Sequence, residues 1–443
     1  MKGIAGVGLS MDVKTPVGSL GFAASLALFS CGSMPMQMPP PEPCPELNGT
    51  VVPHSTDVTT DERWDGDGVV HEVTSSFTVR PGATLTLGQC ALIRVSPRQL
   101  ITLSSSTLRA EGIAGRPVRF EGNWLGVRAL NAQSFINLTH TTVSGGQLVA
   151  TGANEPTALS PTVRLRHVTL ENNAGVALKL EASAALTDDS EEVTIARSGT
   201  SATGVLELGP LALNSLPRSM HFVGNPLTEI KVKAGVLAIE RDVTIKNLGA
   251  SYHFVFDRVR VYSATGSPIL TIEPGVTARF DDMLRIGFTN VGSRTFQRGR
   301  LVAVGGPGDD RILLTSAKAT QLAGDWPGVW LEYAAGSRLE NVIIDKAGGF
   351  NGLVSSNCKP DGSSDAAALN VGWPGVIYEA GPNDFANVTI RQSAGHGINA
   401  MWEADGFGSD LTLGFTFESV VGCKQTRNAR FIGCANEAGC FVE

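Results

Sequence analysis

Aromatic residues are scarce in this chain, at 6% of 443 positions. Beyond the first thirty residues no run of about 18 apolar residues occurs, so nothing there reads as a membrane-spanning helix. No stretch of about ten residues or more has the apolar spacing of an amphipathic helix. Lysine and arginine never cluster, the net charge is −7 and the pI about 5.6. That balance excludes a nucleic-acid binder, which needs a basic face. There is no Cys-x-x-Cys, and the 7 histidines are scattered, which argues against a zinc site. The phosphate-loop, Gly-x-Ser-x-Gly and His-Glu-x-x-His signatures are all missing.

What the chain has instead is repetition. Trp-x-Gly-Val occurs at Trp124, Trp326 and Trp373. Short phrases of alternating apolar and polar residues recur between Gly, Asn, Pro and Ser, among them 83–87, 163–165, 168–170 and 388–390, and each reads as a strand. Leu138-Thr-His140, Leu165-Arg-His167, Leu339-Glu-Asn341 and Phe385-Ala-Asn387 align, and Thr426-Arg-Asn428 follows more loosely. A glycine comes a few residues later in each: Gly145, Gly175, Gly348, Gly395 and Gly433. Asn or His at a bend can satisfy neighbouring backbone groups, and Gly permits positive φ. His140 and His167 stand 27 residues apart, Asn341 and Asn387 46, or two passes of 23. A coil of about two dozen residues is one rung of a parallel β-helix, in which stacked repeats bury a common core.

A longer repeat lies above the short one. Val70-His-Glu-Val73 matches Tyr252-His-Phe-Val255, the Pro81-Gly turn matches Pro274-Gly, Leu108 matches Leu301, and Trp124 matches Trp326. The expected layout is two tandem copies over 61–240 and 241–443, the second with an insertion near Cys358. The Pro-Gly-x-Thr turns, the Leu-x-Ala-x-Gly phrases and the Trp-x-Gly-Val rungs resemble those of secreted bacterial right-handed parallel β-helix proteins. The resemblance covers most of 61–443. It implies an all-β, right-handed parallel β-helix solenoid and a cell-envelope location, but no particular activity.

Residues 1–30 read as a signal peptide, with Lys2 and Lys14 ahead of an apolar stretch over 17–29. Leu28-Phe-Ser-Cys31 resembles the lipobox of bacterial lipoproteins, which implies lipidation at Cys31; ordinary secretory cleavage is the alternative. Residues 31–60 then form a tether, rich in Pro and Met over 32–43. Gly32 after the lipidated cysteine points to the outer membrane, on its periplasmic face or the cell surface, by analogy with enteric lipoproteins. With Cys31 set aside, Cys44, Cys90, Cys358, Cys423, Cys434 and Cys440 remain, an even number for an oxidising compartment. Neighbouring rungs stay close in space. We therefore expect Cys44–Cys90 to tie the N-terminal cap down, and the other four to pair among themselves.

Candidate chemistry is sparse. Gly395-His396-Gly397 resembles the Gly-His-Gly of polygalacturonases. The Asn-x-Asp and Arg-x-Lys partners of those enzymes are missing in order, so His396 reads as a residue of the rung turn. The acidic runs at Asp61, Glu62, Asp65, Asp67 and at Asp188, Asp189, Glu191, Glu192 are the places where Ca2+ could bind, although neither completes a calcium loop. They read as polar turns, and no cofactor is expected. Trp402 lies outside the repeated pattern and, with His396, is the candidate for ligand binding. The expected function is a non-catalytic scaffold anchored to the membrane by lipid, which binds polysaccharide or an envelope partner. The alternatives are a carbohydrate-active lyase or hydrolase and a purely structural spacer. Carboxylates clustered with an aromatic on one sheet face would favour the enzyme.

Overall fold

A computed structural model describes residues 42–154, 158–233, 238–255, 258–290, 295–350, 366–372, 384–401, 410–428 and 440–442. Cys31, Cys358, Cys434, Trp373 and Trp402 lie outside these residues, as do the signal peptide and most of the tether. The described residues are nearly all β, with 39 short strands and three 3-10 turns. None of their helices is long and apolar enough to cross a membrane. Among the described residues the strands build sheets of twelve, thirteen, five and seven strands, parallel except where Gln425–Asn428 meets Cys440–Val442, and an antiparallel two-stranded hairpin.

The pairing is solenoid-like, because each strand lies beside the one that a later pass of the chain brings back. Alternation supplies the core. In Thr84–Leu87 the two leucines are buried and the two threonines half-buried. Leu85 stands over Leu108, Leu108 over Ile136, and Ile136 over Val163, and all four are fully buried. A four-residue strand has only two inward side chains, each contributing about 1.5–3 kcal/mol on full burial. That is too little to order a pass alone, so stability comes from stacking.

The aligned His and Asn residues make the corners. His140, His167, Asn341 and Asn387 have φ of 40°, 54°, 53° and 50°. This left-handed conformation turns the strand direction without breaking the pairing on either side. The side chains form ladders. The rings of His140 and His167 stack at 4.4 Å. Asn387 donates its Nδ2–H to Asn341 Oδ1 at 2.6 Å, and Asn341 donates to the Gly305 carbonyl at 2.9 Å. Of the glycines expected to turn the chain, Gly145 and Gly348 have positive φ and Gly175 and Gly395 do not. Asn172, which follows the residue paired with Ser144, and Gln392 take the left-handed position instead, with φ of 58° and 52°.

The repeated tryptophans pack. Trp124 and Trp326 are buried, and their Nε1–H groups donate to the Ser144 and Asp345 carbonyls at 3.1 and 2.8 Å. They stack on Phe120 and Phe280 respectively. The ordered strands begin earlier than the expected domain start. Val51–His54, inside the stretch read as tether, pairs with Val70–Val73. Cys44 and Cys90 form the expected disulfide, with Cα atoms 5.4 Å apart. Cys423 is also disulfide-bonded.

Between the two expected copies the sheets change over. The twelve-stranded sheet ends at Met220–Val223, while the five- and seven-stranded sheets begin at Val243–Ile245 and Arg258–Val261. Only the thirteen-stranded sheet runs through, by pairing Glu229–Lys233 with Ser251–Val255. Side chains reinforce the changeover. Asn214 accepts from Thr244 N–H and donates to the Asp242 carbonyl, both at 2.8 Å, and Lys246 Nζ donates to the Asn214 carbonyl at 2.9 Å. Beyond each His or Asn corner the chain enters the twelve-stranded sheet in the first half and the thirteen-stranded sheet in the second. Repeated phrases are therefore not equivalent face for face.

Candidate functional site

Strand register brings chemistry-bearing residues together on the outward side of the thirteen-stranded sheet. In Ile230-Lys-Val, Tyr252-His-Phe and Ala278-Arg-Phe the flanking apolar residues are buried and the central polar residue points away from the core. The central positions are stacked: Lys179 beside Glu207, then Lys231, His253, Arg279 and Thr315. Thr315 donates to Asp345 at 3.3 Å, and Asp345 is paired with Arg391. Opposite charges side by side stabilise such a row, whereas like charges would repel.

The row is densest around His253. Its Nδ1 lies 3.3 Å from Glu229 Oε1 and its Nε2 2.8 Å from Asp281 Oδ1. Arg279 donates to Glu229 Oε2 at 2.7 Å and to the Ala317 carbonyl at 3.0 Å. The Glu229 side chain is only 2% exposed, against 38% for Asp281. Burial alone would push the Glu229 carboxyl up. The His253 hydrogen bond and the charges of His253, Arg279 and Lys231 outweigh it and hold the carboxyl below its ordinary range. Burial would likewise depress His253, but hydrogen bonds to Asp281 and Glu229 reverse the effect and raise it. The result is a histidine ring clamped between two carboxylates, beside an arginine that also meets Glu229, so the buried carboxylate is compensated.

None of these residues was singled out for chemistry in the sequence. Of their surroundings, Tyr252-His-Phe-Val255 is visible there only as a repeat phrase. Their convergence with Glu229 depends on passes of unequal length. The signal that could have found them is the polar residue centred between two apolar ones in three successive strands.

The sequence candidates go elsewhere. His396 is not in a turn. It opens the strand His396–Met401, pairs with Ala367 and gives its N–H to the Ala366 carbonyl at 2.8 Å. The ring is buried, and Nδ1 accepts the Cys423 N–H at 2.9 Å. Gly422 packs so tightly on the ring that a Cβ there would fall 2.4 Å from Nδ1. The first acidic run disperses: Asp61 accepts the Thr84 N–H at 2.8 Å, Glu62 the Trp64 indole N–H at 3.2 Å, and Asp65 pairs with Arg63 at 2.7 Å. In the second, Asp189 pairs with Arg164 and Glu191 with Arg166, each at 2.6 Å. Among the described residues no group of three or more His, Cys, Asp or Glu is placed to hold a metal ion. On the seven-stranded sheet Arg285 and Glu332 form a fully buried ion pair, and the guanidinium lies over the Phe288 and Trp330 rings. Set against known proteins, the chain matches no family model, and no curated protein and no solved structure is similar to it.

Proposed function

We propose that this chain is a right-handed parallel β-helix, lipid-anchored through Cys31 at a bacterial outer membrane, that acts as a non-catalytic scaffold binding polysaccharide or an envelope partner. The observation that carries the non-catalytic part is the engagement of both His253 ring nitrogens by carboxylates. A general base needs a free lone pair within reach of its proton, and a ring with both nitrogens engaged has none to offer. The parallel sheets and the row of mutually paired charges support a surface built for recognition and rigidity. The purified full chain is expected to bind some members of a panel of envelope polysaccharides and to release no reducing ends from polygalacturonate, pectin or β-glucans. Small-angle scattering should show an elongated particle. Cys31→Ala should move the protein out of the membrane fraction, and unchanged fractionation would sink the anchor.

A second reading, a carbohydrate-active lyase or hydrolase, is favoured by one observation: Glu229, Asp281, His253 and Arg279 converge on a single sheet face. Paired carboxylates are what sugar hydrolysis requires. Depolymerisation that disappears in His253→Ala would establish that reading in place of the scaffold.

A further inference from the structure

The turns that lead from the seven-stranded to the five-stranded sheet stack over one another, and the one over 287–299 is enlarged by the hairpin Phe288–Asn290 with Thr295–Gln297. Beside it lies a pocket of about 370 Å³, bordered by Ser267, Arg298, Arg300, Tyr333 and Ala335 from three successive turns. Two arginines line it, and among the described residues neither forms an ion pair with a carboxylate. Arg298 is fixed by donation to the Tyr333 hydroxyl at 3.3 Å and by lying 5.3 Å over its ring. The Nε–H of Arg300 is buried with no acceptor. Phe296, 48% exposed, leans on Tyr333, which borders the pocket.

An orphaned buried guanidinium N–H costs stability until an oxygen meets it. Guanidinium groups match carboxylates in geometry, and aromatic rings offer an apolar face to the C–H side of a ring-shaped ligand. The volume is at the small end for ligand sites, enough for one or two sugar residues. We propose that this pocket binds an acidic saccharide, with the uronate carboxylate on Arg298 and Arg300 and the sugar ring against Phe296. The proposal rests on the binding-scaffold reading and names the class of ligand for it.

The test is calorimetric titration of the full chain in detergent with trigalacturonate, neutral galactotriose and sulfate ion. Trigalacturonate should bind, and galactotriose should bind at least about tenfold more weakly, the worth of one charge-assisted pair. Arg300→Gln and Ala335→Trp, which fills the pocket and leaves both charges, should each lose binding by about tenfold or more. Melting of Arg300→Gln should stay at or above the wild-type temperature, because among the described residues the Arg300 side chain makes no hydrogen bond, and its buried Nε–H has no acceptor. Failure to bind trigalacturonate overturns the proposal, as does equal affinity for galactotriose. So does sulfate binding as tight as the saccharide, which would mark a simple anion hole. If Arg300→Gln keeps full affinity for an acidic polysaccharide, the pocket assignment falls while the scaffold reading stands. If no polysaccharide of any kind is bound, the polysaccharide arm of the scaffold reading falls with it and the envelope partner is left as its ligand.

Discussion

Glu229 shows how a single side chain is held by its neighbours. Its carboxylate is nearly out of water and is compensated by His253 and Arg279. Glu229→Gln removes the carboxylate that Arg279 and His253 share and leaves Arg279 without its anion, so it should destabilise by about 3–5 kcal/mol in urea melts. His253 and His54 act in opposite directions with pH. His253 is raised above its unfolded value near 6.5, so its contribution is complete below about pH 6.5 and fades as pH rises through the raised value. His54 is lowered to about 4, by burial first and by the charge of His71 second. Its neutral ring stacks on Trp64 at 3.7 Å and hydrogen-bonds to His71 at 3.1 Å. Stability from His54 is therefore complete above about pH 6.5 and is lost as pH falls towards 4. Melting scans should show the advantage of wild type over His253→Gln shrinking on the alkaline side. The acid-side decline should be smaller in His54→Gln than in wild type. A His253→Gln gap that widened with rising pH would contradict the clamp.

The elements were legible in the sequence wherever a local rule sets them. Corners were read from His140, His167, Asn341 and Asn387, because few non-glycine residues tolerate left-handed φ and Asn is one of them. The rung tryptophans were legible for a similar reason, since recurrence at one register is a packing requirement. Asn387→Val should therefore cost about 1–2 kcal/mol, and Asn387→Gly less, because glycine restores the φ but not the hydrogen bond to Asn341. Register across strands was not legible. Glu229, His253 and Arg279 belong to three strands separated by loops of different length, and Asp281 follows the last of them, so no fixed spacing joins them. His396 was misread for the same reason: Gly on both sides suggests a turn, but its backbone has a partner strand that the local sequence does not reveal. The Cys44–Cys90 bridge could be inferred, because it needed only nearness along the stack. It closes a loop of 46 residues, and its reduction should lower stability by about 2–4 kcal/mol, read as an earlier loss of the N-terminal strands in hydrogen exchange.

At the scale of the whole molecule, each pass of the chain leans on the passes before and after it, so stability adds up along the stack and need not be uniform. The place to look for non-uniformity is the changeover near residue 240, where among the described residues one sheet continues and the others stop or start. Asn214 and Lys246 lie across that gap like stitches, with Arg218 and Glu273 paired beside them. A stack whose sheets are all continuous resists tension everywhere alike; this one has a seam. Pulled from the two ends of the stack, it should part there first, into two blocks that each keep their own core. In single-molecule stretching the first rupture should fall at this point, at a force lowered by Asn214→Ala, and a rupture sequence that starts from either end would show the seam to be as strong as its surroundings. A surface protein with such a seam would give way at a set load while its anchored half stayed folded.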